Sequence, residues 1–96
     1  MKMQKYIKIA DFCQGHALEE SFLYALHEVD LIEIVQVERT PAIRRSQLDR
    51  LERLVRLHRD LELGPQALLT VDHLLGRMEA LQEEVLELRR RLDRWK

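Results

Sequence analysis

The sequence predicts a mainly α-helical fold with a small β-ribbon and a C-terminal coiled-coil helix. Three observations carry that prediction. Apolar residues recur at helical spacing over Leu18–Val29 and again over Leu48–Leu61. Between them lies Leu31–Val37, a run rich in Leu, Ile and Val with the composition of a strand. From Val71 onward the apolar residues alternate by three and four, as a coiled-coil seam does.

The N-terminal stretch Tyr6-Ile7-Lys8-Ile9 alternates and is β-prone, so a short strand is expected there, leading into one or two helical turns over Ala10–Cys13. Gly15 and His16 read as the turn that ends them. A second helix is expected from about Glu19 to Val29. Leu18, Phe22, Leu26 and Val29 form its inward stripe, and Glu19 and Glu20 fall in its first turn, where the macrodipole favours negative charge. Glu20, Tyr24, His27 and Glu28 recur on the opposite face. Leu31–Val37 follows as a strand. Thr40-Pro41 interrupts it, and a short return strand holding Ile43 completes the ribbon. Ser46-Gln47-Leu48-Asp49 resembles a capping box, with Asp in place of the usual Glu, and starts a third helix. Its apolar face is Leu48, Leu51, Leu54, Val55, Leu57 and Leu61. Gly64-Pro65 marks the next boundary, because proline suits the first position of a helix.

Val71, Leu74, Met78, Leu81, Val85, Leu88, Leu92 and Trp95 occupy the a and d positions of the C-terminal seam. Glu83, Glu84, Glu87, Arg89, Arg90, Arg91 and Arg94 flank it. Gly76 is its weak point, at about 1 kcal/mol against alanine in a helix interior, so a fourth helix is expected to end near Leu75 and a fifth to follow. A single helix leaves such a seam uncovered. The narrow stripe with charges on both sides favours a second copy, hence a homodimer. Glu84 opposite Arg89 suits a parallel pair and Arg91 opposite Lys96 does not, so strand direction stays open. The chain divides into residues 1–70, a helical domain with the ribbon, and 71–96, a dimerising helix.

Ninety-six residues make one domain, and 46% apolar with 34% charged residues suits a folded chain. The net charge of -1 counts against a protein living on nucleic acid, whose affinity comes largely from neutralised phosphates. Cys13 is the one cysteine, so no internal disulfide forms and a reducing compartment is the simplest home. No apolar stretch has the length of a signal peptide or approaches the roughly 20 residues of a membrane span, and a cytoplasmic protein is expected.

The order of elements resembles a winged helix-turn-helix of the MerR type. Ile9-Ala10-Asp11-Phe12-Cys13 looks like that family's opening helix, Ala17-Leu18-Glu19-Glu20 sits where its glycine-containing turn sits, and Leu23, Leu31 and Ile32 fall at its apolar anchors. DNA-binding members begin the exposed part of the second helix with an arginine followed by aromatics, where this chain has Leu23-Tyr24-Ala25-Leu26-His27. A closer resemblance covers nearly the whole chain. Asp11-Phe12-Cys13, Glu19-Glu20, Val55-Arg56-Leu57-His58-Arg59-Asp60-Leu61 and Leu88-Arg89-Arg90-Arg91-Leu92 look like the CbpM family of chaperone modulatory proteins. That resemblance implies a MerR-like fold that binds the J-domain of a CbpA-like, DnaJ-like co-chaperone and inhibits its action on DnaK. The alternative is a MerR-family DNA-binding transcriptional regulator.

Residues 19–30 hold four acids, Glu19, Glu20, Glu28 and Asp30, and no lysine or arginine. In a major groove this face meets phosphates with the wrong sign. Glu19, Glu20, Tyr24, His27, Glu28 and Asp30 are therefore the candidate docking surface for a basic partner, with Tyr24 as anchor and the carboxylates as steering charges; a merely solvated helix face is the plainer reading. Basic residues cluster elsewhere, Arg39, Arg44 and Arg45 on the ribbon and its exit, and Arg50, Arg53, Arg56 and Arg59 on one side of the third helix, interspersed with Asp49, Glu52, Asp60 and Glu62. Cys13 and His16 have ligand spacing, but two ligands do not make a zinc site. His27, His58 and His73 are scattered, and neither a nucleophile motif nor a glycine-rich phosphate loop is present, so no enzyme activity and no cofactor are expected.

Overall fold

The computed structural model describes residues 2–95; Met1 and Lys96, and with Lys96 its expected position opposite Arg91, lie outside them. After a 3-10 turn at Lys2–Lys5 come β1 (Tyr6–Lys8), α1 (Ile9–His16) and α2 (Glu20–Glu28). β2 (Val35–Val37), β3 (Thr40–Arg44), a 3-10 turn at Arg45–Gln47, α3 (Leu48–Leu61) and α4 (Pro65–Arg94) follow. The molecule is mainly helical with one small antiparallel sheet, in the order of a winged helix-turn-helix.

The break expected at Gly15-His16 falls later. Both residues belong to the last turn of α1, and the chain reverses at Ala17, whose φ is 51°. The Leu18 N–H donates to the Cys13 carbonyl at 2.9 Å and the Ala17 N–H to the Gln14 carbonyl at 3.4 Å, the pattern of a Schellman stop. α2 ends in the same way. Asp30 has φ 61°, and the Leu31 N–H donates to the Leu26 carbonyl at 3.0 Å.

That second stop explains why Leu31–Val37 is not one strand. Leu31 belongs to the helix-stop motif, its N–H bonded back to Leu26 instead of across a sheet, and Leu31 and Ile32 are both buried in the core. Pairing begins only at Val35. Nor does Thr40-Pro41 interrupt the ribbon: both residues lie inside β3, and the reversal is made by Glu38 and Arg39, with φ 52° and 64°. A two-residue turn with positive φ at both positions matches the twist of a hairpin. It makes Val37–Thr40 a hydrogen-bonded pair and places Pro41, opposite Gln36, at a non-bonded position towards β2. The missing proline N–H faces the other side, where β1 has already stopped with Lys8 opposite Ala42. β3 is the central strand, and β1 makes the ribbon a three-stranded sheet in the order β1-β3-β2.

The capping box expected at Ser46 does not form. Arg45–Gln47 is a 3-10 turn, and α3 begins after Gln47 without a side-chain cap. The Gln47 Oε1 instead accepts the Glu33 N–H at 3.2 Å, fastening the α2–β2 loop to the start of α3. On α3, Leu51, Leu54 and Val55 are buried and Leu48 and Leu57 half-buried, but Leu61 is exposed, at the point where the chain leaves the helix through Glu62 at φ 54°.

Pro65 occupies the first turn of α4, as the sequence predicts. The helix then runs unbroken through Gly76 to Arg94, so no fifth helix exists among the described residues. A glycine weakens a helix but donates and accepts like any other residue, and roughly 1 kcal/mol is too little to stop one of thirty residues. α4 rises by about 45 Å and accounts for most of the 59 Å length of the molecule.

The core joins Ile9, Phe12 and Cys13 of α1, Leu23 and Leu26 of α2, Leu31 and Ile32, Ile43 of β3, Leu51, Leu54 and Val55 of α3, and Leu68 from the first turns of α4. The three anchors Leu23, Leu31 and Ile32 are all in it. From the inward stripe expected for α2, Leu26 is fully buried, whereas Leu18, Phe22 and Val29 are half-buried around the rim.

Candidate protein-docking surface

The face of α2 turned away from the core consists of polar and acidic side chains. Leu23 and Leu26 point inward, and the helical repeat then places Glu20, Tyr24, His27 and Glu28 together on the outside, where all four are exposed. Glu19 precedes the first turn and Asp30 follows the last, both exposed, so acids at the two ends of the helix bracket the four residues of its outer face. Tyr24 is 38% exposed, the one large apolar side chain of the described residues of α2 that is open to solvent. Glu20 also acts inward. With burial as the larger cause, its charge raises the Cys13 thiol above the ordinary range, so Cys13 stays a neutral core residue.

His27 has a task that its spacing does not reveal. Its Nδ1 accepts the Ile34 N–H at 3.3 Å and lies 3.3 Å from the Ile32 carbonyl, which braces the loop leaving α2. The lining of a cleft of about 530 Å³ includes His27, Asp30, Glu33, Arg44, Gln47 and Arg50. Within that lining Glu33 and Arg44 form an ion pair at 3.0 Å. Glu33, by charge and by hydrogen bond, holds the Arg44 guanidinium still more firmly protonated.

The arginines of α3 do not form one side. Steps of three residues turn a helix by about 300°, so Arg50, Arg53, Arg56 and Arg59 wind around it. Three have intramolecular acceptors. Arg50 donates to the Leu31 carbonyl and to Asp72 of α4, at 2.8 Å for the latter. Arg53 lies 3.8 Å from Glu79. Arg59 donates to the His16 and Ala17 carbonyls and so caps the C-terminal end of α1. These are ties between elements, which sequence reading missed because each acceptor is a distant carbonyl or a carboxylate on another helix. In the Arg89-Arg90-Arg91 run, Arg90 and Arg91 both lean on Glu87, at 3.6 and 3.3 Å.

Cys13 and His16 are not brought together as ligands. Cys13 is buried in the core, while the His16 ring stacks on Phe12 at 4.1 Å with its Nδ1 3.0 Å from the Phe12 carbonyl. Among the described residues no three His, Cys, Asp or Glu side chains converge on a point that suits a metal. His58 stacks on Phe22 at 4.2 Å and bonds the Leu63 carbonyl at 2.7 Å, joining α3 to α2; His73 is exposed on α4. No helix among the described residues is long and apolar enough to cross a membrane.

On α4 the seam is uncovered. Leu74, Met78, Leu81, Val85, Leu88 and Leu92 are each about half exposed, Trp95 just past the helix end is more so, and only Val71 is half-buried against the domain. A family model described as MerR HTH family regulatory protein matches residues 7–90, from the first strand to near the end of α4. The chain belongs to that family. No curated protein and no solved structure matches it. Within the MerR frame, α1 and α2 are the helix-turn-helix, β2 and β3 the wing, and the acidic strip lies on the second helix of the motif.

Proposed function

We propose that this MerR-type protein is a chaperone modulator: it binds the J-domain of a DnaJ/CbpA-like co-chaperone through the outer face of α2 and keeps it from the DnaK-type chaperone, in the cytoplasm. The observation that carries this reading is the charge on that face. Glu19, Glu20, Glu28 and Asp30 are exposed with no cation among residues 19–30, where a groove-binding helix requires positive charge. A basic helix of a partner complements it, with Tyr24 as the apolar anchor. Inhibition is steric and involves neither covalent chemistry nor a cofactor. The protein acts as a homodimer joined along the uncovered seam of α4.

The test is calorimetric titration of the full-length protein with the isolated J-domain, repeated with Glu20→Lys/Glu28→Lys. Binding that weakens at least tenfold in the variant supports the reading, and unchanged binding removes α2 from it.

The family supports a second reading, a DNA-binding regulator, because Arg39 sits at the tip of the wing and Arg45 at its base, both exposed. Retention on duplex DNA at physiological salt decides for it.

A further inference from the structure

The surface beside α2 changes sign within one cleft's width. A second cleft, of about 400 Å³, lies where the strand β1 and the exit of β3 meet, lined by Gln4, Lys5, Tyr6, Arg44, Arg45 and Ser46. Three of those six residues are cations and none is an acid. Arg44 is held by Glu33, but Lys5 and Arg45 are exposed and take part in no ion pair among the described residues. Gathering cations without counter-charge is unfavourable, and an anion in the cleft relieves it. Hydroxyl donors are at hand in Tyr6 and Ser46.

This basic cleft is continuous with the acidic strip. Arg44 and Ser46 line both it and the neighbouring cleft, whose lining also includes His27 and Asp30 of the docking face. The Glu33–Arg44 ion pair is the seam between the two signs. We propose that the cleft receives an acidic segment of the same protein partner whose basic surface covers α2, so that the docking surface is two-signed and fixes the partner's orientation as well as its affinity. The inference rests on the proposed function for the partner's identity. A nucleic acid is the poorer occupant. A phosphate backbone leaving Lys5 and Arg45 towards α2 runs onto Glu33, Asp30 and Glu28, and repulsion there opposes what the cations contribute. A protein segment carries its carboxylates in one place and lysines in another, and follows the change of sign.

The experiment compares wild type, Lys5→Glu/Arg45→Glu and Glu20→Lys/Glu28→Lys, all full-length, for binding to the J-domain at low and physiological salt. In parallel, a hexaglutamate peptide and a duplex DNA are titrated against the backbone amide resonances. Both double variants weakening the J-domain by about tenfold supports the two-signed surface. Weakening only in the α2 variant overturns it and leaves the modulator reading standing. If the wild type binds no J-domain, the modulator reading fails, and the peptide then decides on the cleft. Saturable shifts at Lys5, Tyr6 and Arg45 that vanish in Lys5→Glu/Arg45→Glu support an acidic-segment site, and their absence overturns it. DNA that shifts the same amides more strongly than the peptide at physiological salt also overturns it.

Discussion

The Arg50 guanidinium reaches the Asp72 carboxylate at 2.8 Å and at the same time donates to the Leu31 carbonyl. One side chain of α3 thus ties the exit of α2 to the shaft of α4. The two side chains differ in exposure, Asp72 at 17% and Arg50 at 37%, so solvent screens this pair less than a fully exposed one.

Arg50→Ala is expected to lower stability by about 1–2 kcal/mol, since it leaves the Leu31 carbonyl and Asp72 without their donor. Denaturant unfolding monitored by circular dichroism measures the loss. Hydrogen exchange locates it, with faster exchange expected at Leu31–Ile34 and in the first turns of α4. A variant indistinguishable from wild type in both measurements rules out the tie.

Two small residues sit where their types are mismatched to the backbone. Gly76 lies inside α4, and a Cβ built there meets nothing within 4 Å. Ala17 sits at φ 51°, where an L side chain is strained and glycine is not. Gly76→Ala and Ala17→Gly are each expected to stabilise the protein by about 0.5–1 kcal/mol, through helix propensity in one case and relieved strain in the other. Thermal melts of the two single variants and of the double test both the sign and the additivity.

Alkaline pH is expected to expose the burial of Cys13. Desolvation first, and the Glu20 charge second, raise its thiol in the folded protein above the value it has unfolded. The contribution to stability is therefore complete below the unfolded thiol's value, about 8.5. It is lost as pH rises through the folded one. As pH rises above about 8.5, wild type is expected to lose stability more steeply than Cys13→Ala, the lysines and tyrosines contributing equally to both. Parallel curves in denaturant titrations across that range contradict the assignment.

Apolar residues of α4 divide into two kinds. Leu68 is fully buried and docks the helix on the core, whereas Leu88 is 56% exposed on the open seam. Leu68→Ala is expected to destabilise the fold by roughly 2–5 kcal/mol. Leu88→Glu is expected to leave the monomer within about 0.5 kcal/mol of wild type while reducing its self-association in sedimentation equilibrium. Sedimentation of wild type as a monomer at every concentration removes the homodimer from the proposed function.

Local patterns were legible wherever one element's own periodicity decides which side faces inward. The repeat of Leu23 and Leu26 against Glu20, Tyr24, His27 and Glu28 orients α2 without any knowledge of its neighbours, and Pro65 marks the start of α4 because only the first turn of a helix tolerates a missing N–H. The three-and-four spacing from Val71 likewise predicted an apolar stripe, and the stripe is there, exposed. Boundaries were read less well. Leu31 and Ile32 have strand composition, yet the helix stop at Asp30 takes them out of the sheet, and Gly15 remains helical because its turn is ended from Ala17 onward.

By itself, then, the sequence determined a mainly helical fold with a β-ribbon, an acid-faced second helix and an apolar stripe along the last one, because residue spacing along a single element sets which side chains share a face. Only the tertiary structure decided that β1 returns to β3 to make a third strand, that Arg50 and Arg59 reach backbone carbonyls on other elements, and that Lys5 and Arg45 meet in one cleft beside the acidic strip. Those relationships join residues 19 to 43 positions apart in the hydrogen bonds and about as far in the sheet and cleft, and no local repeat encodes which distant partner a strand edge or a guanidinium will meet.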